Sequence, residues 1–317
     1  MTEQVFLQRR EPSWNKLSEM LRKRQKLKSA APSFVRLFRE VSQDLNTAQA
    51  HGFDPAIIER LNMLVNESYQ ILYGQRAWQP QKIALFILQT FPRSVRSQWR
   101  GILAALFLFY GLAFFFGALC VRFPRMAGEI ISERQLDQIE EMYNPESKHF
   151  LVPRAVSSDA DMFGYYIYNN ISIAFRTFAG GILAGVGSLL MLCTNAVYLG
   201  VVTGHLINAG FAKTFFPFVI AHSSFELTAV VFSAHAGLLL GYRLFVTRGL
   251  SRAASLKKAG QDALPIIAGS ALMLFIAAII EAFWSSRHQF PLPLRMGVGA
   301  GLWVLLSLYF TLAGRKA

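Results

Sequence analysis

Apolar runs of membrane-spanning length alternate with short charged segments from residue 101 to residue 313. The first run, residues 101–121, contains no charged residue. About 20 apolar residues, at 1.5 Å each along a helix, cross a hydrocarbon core of roughly 30 Å. The predicted crossings are residues 101–121, two closely packed helices within 171–211 that meet near 193–196, and 215–241, 264–284 and 296–313. This pattern predicts an all-α, polytopic membrane protein with about six transmembrane helices.

The first 99 residues have a different pattern. They contain more charged residues, and their apolar residues recur at the spacing of one helix face instead of forming continuous runs long enough to span a membrane. Amphipathic stripes predict helices at 33–50 and 56–73, and a mixed basic and aromatic stretch at 80–100 predicts a helix in the membrane interface, bent at 91–92. We therefore expect residues 1–99 to form a basic cytoplasmic helical domain that ends in an interfacial helix. Residues 100–317 form the membrane domain.

Charge separates the extramembrane segments into two kinds. A basic segment at 14–28 lies outside any known nucleic-acid docking motif, so it favours anionic lipid headgroups over nucleic acid as a partner. Residues 123–170 form an acidic loop, in which 126–143 is predicted to be helical and able to bind a protein partner. Lysine and arginine near helix ends stay on the cytoplasmic side. The N-terminal region, the loop at 243–258 and the C-terminus are thus expected inside, which requires an even number of crossings and places the acidic loop outside.

Composition excludes a single soluble domain, and the cysteine positions exclude a secreted disulfide-bonded protein. Hydrophobic residues make up 53% of the chain and its formal net charge is +13, so it is not a single soluble core. Cys120 and Cys193 both lie in apolar runs without a C-x-x-C spacing, which excludes a secreted disulfide framework.

Candidate chemistry lies in the run at 215–241, which contains His222, Glu226 and His235. On a helix, His222 and Glu226 are about 40° apart and can touch, whereas His235 points about 180° away from Glu226. These three residues cannot converge on one ion from a straight helix, so we expect no metal and no cofactor. Two interpretations of the pair stay open: a hydrogen-bonded structural contact, and a proton or substrate relay in a polar cavity.

Other polar residues and several glycines accompany that pair. Asn195, Asn169 and Asn170 are candidates for the same intramembrane polar network. Arg176 and Glu281 lie near predicted helix ends and are lesser candidates, as is His235, while His205 is expected near a cytoplasmic end. The spacings Gly181-x3-Gly185 and Gly200-x3-Gly204 are typical of closely packed membrane helices.

The membrane core is similar to a known family in several short strings: NNISIAFRTFAGGILAG at 169–185, Asn195, Leu199-Gly200, AHSSFEL at 221–227 and AGLLLG at 236–241. These residues resemble the stage II sporulation protein M family of bacterial membrane proteins, and N-terminal pieces such as Trp14 and LNMLV at 61–65 resemble its long form. The chain departs from the family pattern at Asn195-Ala196 and His222-Ser223, where the family has Asn-Gly and His-Gly.

In its sporulating members the family resembles a membrane anchor that gathers peptidoglycan-degrading partners and is not itself the hydrolase. For this chain the resemblance implies a multipass scaffold or a transporter-like subunit of cell-envelope machinery. The expected function is a non-enzymatic multipass scaffold of cell-envelope machinery in the bacterial inner membrane, with its N-terminus in the cytoplasm. Its expected partners are membrane lipids, envelope proteins and cytoplasmic proteins, with a homo-oligomer as a further candidate. The alternative is a transporter or channel subunit that uses His222, Glu226 and Asn195 as a polar path. An intramembrane metal hydrolase ranks last, because one helix cannot supply three converging ligands.

Overall fold

The computed structural model describes residues 2–22, 31–72, 80–148, 150–151, 159–287 and 289–315. The structure is 87% helical, and the described residues contain no strand. They divide into two compact units, Met1–Pro80 and Gln81–Ala317. The prediction of an all-α, polytopic protein is confirmed.

The N-terminal unit consists of helices α1 (Glu3–Arg22), α2 (Ala31–His51) and α3 (Pro55–Leu72) around a core of its own. Trp14 is fully buried in that core, and its Nε1–H donates to the carboxylate of Asp44 at 2.8 Å. Arg10 Nε donates to the same carboxylate at 2.7 Å, so the buried charge is paired. The sequence analysis predicts no helix over the residues of α1, although four apolar residues recur on its buried face, namely Phe6, Trp14, Leu17 and Leu21.

The membrane unit begins with three short helical segments, of which the first is fully exposed and the last packs against the bundle. They are α4 (Pro80–Leu85), a π-helical turn (Phe86–Thr90) and α5 (Phe91–Ser97), whose first turn contains Pro92. The Phe91 ring is buried against Gly269, where an added Cβ would lie 2.1 Å from it. Arg93 donates to the Gly314 carbonyl at 2.8 Å, which ties this segment to the end of the last helix.

Five helices in the described part of the chain are long and apolar enough to cross a membrane. They are α6 (Trp99–Arg122), α10 (Val186–Asn208), α11 (Ala212–Phe245), α12 (Arg252–Ile280) extended by a π-helical turn (Glu281–Ser285), and α13 (Leu292–Leu312). In α11, 72% of the apolar window is buried, against 17% in α6 and in α13. The helix that contains His222 and Glu226 therefore lies at the centre of the bundle.

A further helix, α9 (Asp159–Ala179), is not among those five, but it packs against the bundle. Near its start, Met162 and Tyr166 pack against Ala278 and Ala282. After its end, the chain meets α11 at Gly237. The sequence analysis places residues 159–170 in the acidic loop and begins the next crossing at 171, whereas the helix starts at Asp159. That α9 is the sixth crossing stays a prediction.

The chain reverses between α9 and α10 about ten residues before the predicted position. α10 runs without interruption through 193–196, so the predicted junction there is wrong. The reversal occurs instead at a 3₁₀ turn (Gly180–Ile182) followed by Ala184 and Gly185, with φ angles of 56° and 84°. Because an added Cβ on Gly180 would lie 2.6 Å from the Gly187 backbone, the two ends of the turn touch closely only without side chains.

The acidic segment forms two helices, α7 (Met126–Ile130) and α8 (Glu133–Tyr143), rather than the single helix predicted at 126–143. The break is at Ile131, whose extended backbone and buried side chain turn the chain onto the bundle. His205 Nε2, near the end of α10, lies 2.7 Å from Glu140 Oε1. His205 is thus at the same end of the bundle as the acidic segment. The expectations of a cytoplasmic His205 and an external acidic loop therefore cannot both hold.

Candidate functional site

Three ionisable side chains converge inside the membrane unit. His222 Nε2 lies 3.9 Å from Glu226 Oε2, one helical turn later on α11. The same nitrogen lies 3.9 Å from Glu281 Oε1, at the start of the π-helical turn that follows α12. One ligand atom from each of the three residues lies within 4.8 Å of the other two. We call His222, Glu226 and Glu281 the His–Glu–Glu cluster.

The other ring nitrogen of His222 has a defined partner. Nδ1 lies 3.0 Å from Ser285 Oγ, at the end of the same π-helical turn as Glu281. The Ser285 carbonyl accepts from Arg295 of α13 at 3.0 Å. If Nδ1 carries the proton and donates to Ser285, the lone pair on Nε2 faces the two carboxylates.

Glu281 is the member of the cluster with an unpaired oxygen. The residue is 7% exposed, and Oε2 has no hydrogen-bond partner among the described residues. The side chain of Asn170, also buried, lies next to Glu281, and its Nδ2 likewise has no hydrogen-bond partner among the described residues. Buried polar atoms normally find a partner, so an unpaired carboxylate oxygen inside a cluster is unusual.

Aromatic rings connect this cluster to the acidic segment. The Phe218 ring meets His222 edge-on at 5.2 Å between centroids, and Tyr143 of α8 meets Phe218 at 5.8 Å. Burial first, and then the charge on Glu281, raises the pKa of Tyr143 above its ordinary range. The phenol therefore stays neutral, and the Phe218 ring links it to the cluster at the end of the bundle where α8 lies.

The remaining predicted polar residues do not join the cluster. His235 lies 13 positions after His222, or about 20 Å along α11, and its Nε2 is 2.7 Å from Gln98 Oε1. Asn195 donates to the Met191 carbonyl of its own helix at 2.7 Å. Asn169 is exposed and donates to Asn170 Oδ1 at 3.1 Å, and Arg176 is exposed.

The four predicted packing glycines all lie at close contacts between helices. A Cβ added to Gly200 would lie 2.3 Å from the Ala113 carbonyl of α6, and one on Gly204 would lie 2.6 Å from the Gly117 carbonyl. A Cβ added to Gly181 would lie 2.2 Å from the Gly237 carbonyl oxygen of α11. Gly185 adopts the left-handed conformation at the start of α10.

Sequence reasoning ranked Glu281 too low and did not single out Ser285 or Arg295. A signal was present, since Glu281 is a lone carboxylate that follows a long apolar run. It lies 59 positions after His222, however, and periodicity does not show which faces of two distant helices meet.

The comparisons with known proteins agree with the residue-based resemblance. Residues 105–286, more than half of the chain, match the model of a family described as Stage II sporulation protein M. Residues 4–74 match the model of a domain of unknown function (DUF8413). The comparisons with curated proteins and with solved structures gave no match. The resemblance inferred from residues 169–241 is confirmed by the first of these matches.

Proposed function

The chain belongs to the stage II sporulation protein M family, and we propose that it serves as a non-enzymatic multipass scaffold of cell-envelope machinery in the bacterial inner membrane. The observation that carries this proposal is an acidic helix held rigidly against the end of the membrane bundle. Binding to a rigid surface avoids the entropy cost of ordering a loop at the interface, so a protein partner binds such a surface more tightly.

Contacts on the bundle side of α8 and just past its end support its rigidity. On the side toward the bundle, Leu136 and Tyr143 are buried, and Thr214 Oγ1 donates to the Tyr143 carbonyl at 2.7 Å. Past the end of the helix, the Leu151 amide donates back to the Met142 carbonyl at 2.8 Å. The 2.7 Å contact between His205 Nε2 and Glu140 Oε1 adds a polar contact to α10.

The outward side of this segment presents acidic groups. Glu129, Glu133 and Asp137 are all exposed, and the last two are one helical turn apart on α8. We call these three residues the acidic face. Its charge favours a basic envelope partner, because complementary charge guides encounter and suppresses wrong pairings.

The N-terminal unit supplies a second surface of opposite character. Its core is closed by three helices, while Arg9, Lys16, Arg36 and Arg39 remain exposed. In the proposed arrangement this unit is cytoplasmic and contacts cytoplasmic proteins or anionic lipid headgroups. With α9 as a sixth crossing, the acidic face lies outside, and the protein connects partners on the two sides of the membrane.

Charge reversal with a matched control tests the scaffold proposal. Full-length tagged protein is crosslinked in cells and purified from membranes as wild type, as the double variant Glu133→Lys/Asp137→Lys, and as Glu59→Lys/Glu67→Lys. The control changes the charge by the same amount at exposed positions of α3. We expect envelope partners to be lost from the first variant and retained by the control. An unchanged set of partners with the first variant would contradict the proposal.

A transporter or channel subunit is the second candidate, favoured by the ionisable groups buried among apolar helices. Under this alternative, Glu226→Gln abolishes proton or cation flux in proteoliposomes, whereas Glu146→Gln, which changes an exposed carboxylate outside the bundle, leaves it intact. Normal flux through Glu226→Gln, or no flux above empty vesicles in the wild type, would eliminate this candidate.

A further inference from the structure

We propose that the His–Glu–Glu cluster binds a divalent first-row transition-metal ion that ties α11 to the π-helical turn after α12. This inference is independent of the scaffold proposal. It replaces the sequence-based expectation of no metal, which rested on His235 as the third ligand, because the structure supplies Glu281 from another helix instead.

The donor set fits such an ion. One imidazole nitrogen and two carboxylate oxygens are ligands typical of zinc, and three protein ligands leave one coordination position open. Two carboxylates and a neutral imidazole also match the charge of a divalent cation. Mg²⁺ and Ca²⁺ prefer sets of oxygen ligands and fit less well.

The distances are those of a site that closes slightly on its ion. Ligand atoms about 2.1 Å from a tetrahedral zinc ion are separated by about 3.4 Å. Both separations from His222 Nε2 are 3.9 Å, so each of these two pairs has to approach by about half an ångström. The ligand oxygens of Glu226 and Glu281 lie within 4.8 Å of each other, so this third pair has to approach by at most about 1.4 Å. Side-chain rotations on two packed helices would supply these movements.

Two further observations point to a ligand here. The first is the contact of His222 Nδ1 with Ser285 Oγ, which is the kind of second hydrogen bond that orients a metal-binding imidazole and leaves the other nitrogen free. The second is Glu281 Oε2, a carboxylate oxygen on a side chain nine-tenths buried, with no partner among the described residues. A cation supplies the partner that this carboxylate lacks.

The three ligands differ in exposure. The side chain of His222 is 5% exposed and that of Glu281 is 10% exposed, whereas that of Glu226 is 21% exposed. Glu226 is therefore the most exposed of the three ligands. Tyr143 and Phe218 place the cluster at the end of the bundle covered by α8.

Metal titration of the full-length protein in detergent tests the proposal. The protein is stripped with a chelator and titrated with Zn²⁺, and bound metal is counted by elemental mass spectrometry; Co²⁺ is used in parallel for its visible absorption. We expect one tightly bound Zn²⁺ per chain, a Co²⁺ spectrum typical of four- or five-coordination, and no competition by equimolar Mg²⁺. Wild-type protein that binds no stoichiometric Zn²⁺ and shows no Co²⁺ absorption would overturn the proposal.

Variants then assign the ion to these residues. Glu281→Gln keeps the side-chain shape and removes a ligand, and we expect it to weaken Zn²⁺ affinity by more than the 10- to 100-fold loss that is typical when a hydrogen bond to a metal ligand is removed. Ser285→Ala removes only the contact to Nδ1, and we expect a loss of about tenfold. His235→Gln, at a buried histidine on the same helix, serves as the matched control and keeps wild-type affinity.

Binding that is equally strong in Glu281→Gln, or lost equally in His235→Gln, would place the ion elsewhere and overturn the assignment. If Glu281→Gln fails to give a single gel-filtration peak, Ser285→Ala and the wild-type Co²⁺ spectrum decide the question. Retention of both wild-type affinity and the wild-type spectrum in Ser285→Ala would then count as failure of the proposal.

Discussion

The contact between α6 and α10 is close enough that one added methyl group should separate the helices. Gly200→Ala would place a Cβ 2.3 Å from the Ala113 carbonyl oxygen and 3.0 Å from the Gly117 amide nitrogen. Ordinary contacts begin at 3.4 Å, so the backbones have to part by about 1 Å. Overpacking of this kind costs about 1–3 kcal/mol. Membrane helices also lose the close van der Waals contact that holds them together.

A cysteine at the same contact reports the separation. Cys120 is fully buried, and an added Cβ on Gly204 would lie 2.8 Å from its Cβ. With Cys193→Ser as background, a maleimide dye labels Cys120 only when the two helices part. Since 1.4 kcal/mol corresponds to a tenfold change in an equilibrium, we expect labelling of Gly200→Ala to be roughly 5- to 150-fold faster.

Gly111→Ala is the matched control, because Gly111 lies in the same crossing and an added Cβ meets nothing within 4 Å. It should leave the labelling rate unchanged or slow it slightly, since alanine favours a helix over glycine by about 1 kcal/mol. Equal labelling rates in Gly200→Ala and Gly111→Ala would refute the role assigned to the packing glycines.

Three further outcomes are expected. Ala184→Gly removes the strain of a non-glycine residue at a φ of 56°, so the free energy of unfolding should increase by about 1 kcal/mol and the midpoint temperature of thermal unfolding should rise. An unchanged or lower midpoint contradicts this. Thr214→Val removes the hydroxyl that donates to the Tyr143 carbonyl, so hydrogen exchange over α8 should accelerate, in line with a loss of about 1 kcal/mol, while α3 is unaffected. Asp44→Ala leaves the indole N–H of Trp14 unpaired in the N-terminal core, which should lower the stability of that unit by about 1–3 kcal/mol. Trypsin should therefore cleave α1–α3 of the full-length protein faster, whereas resistance equal to that of the wild type would argue against this pairing.

Local patterns were sufficient for most elements of the fold. The stripe predicted at 56–73 corresponds to α3 (Pro55–Leu72), and the uncharged run at 101–121 corresponds to α6 (Trp99–Arg122). Both signals are properties of a single segment, namely an apolar face or an apolar length. The junction predicted near 193–196 is wrong because it lies near the middle of the apolar run, whereas the chain turns at the glycines of 180–185 and at the two residues with positive φ, Ala184 and Gly185.

The candidate site was predictable only on one helix. The four-residue spacing of His222 and Glu226 placed them together correctly, since it depends on helix geometry alone. Glu281 and Ser285 face them because α12 ends in a π-helical turn beside α11, and that placement is a property of the bundle. Asn195 shows the converse, since an asparagine in an apolar run is satisfied by a carbonyl of its own helix.

Side-specific labelling of single cysteines in intact cells tests the central claim most directly. In a background with Cys120 and Cys193 changed to serine, Asp137→Cys places a thiol on the acidic face and Arg39→Cys places one on the N-terminal unit, both at exposed positions. A scaffold that connects two compartments predicts that a membrane-impermeant maleimide labels Asp137→Cys in intact cells and reaches Arg39→Cys only after lysis. Labelling of both thiols, or of neither, in intact cells would put the two surfaces on one side of the membrane and contradict the account.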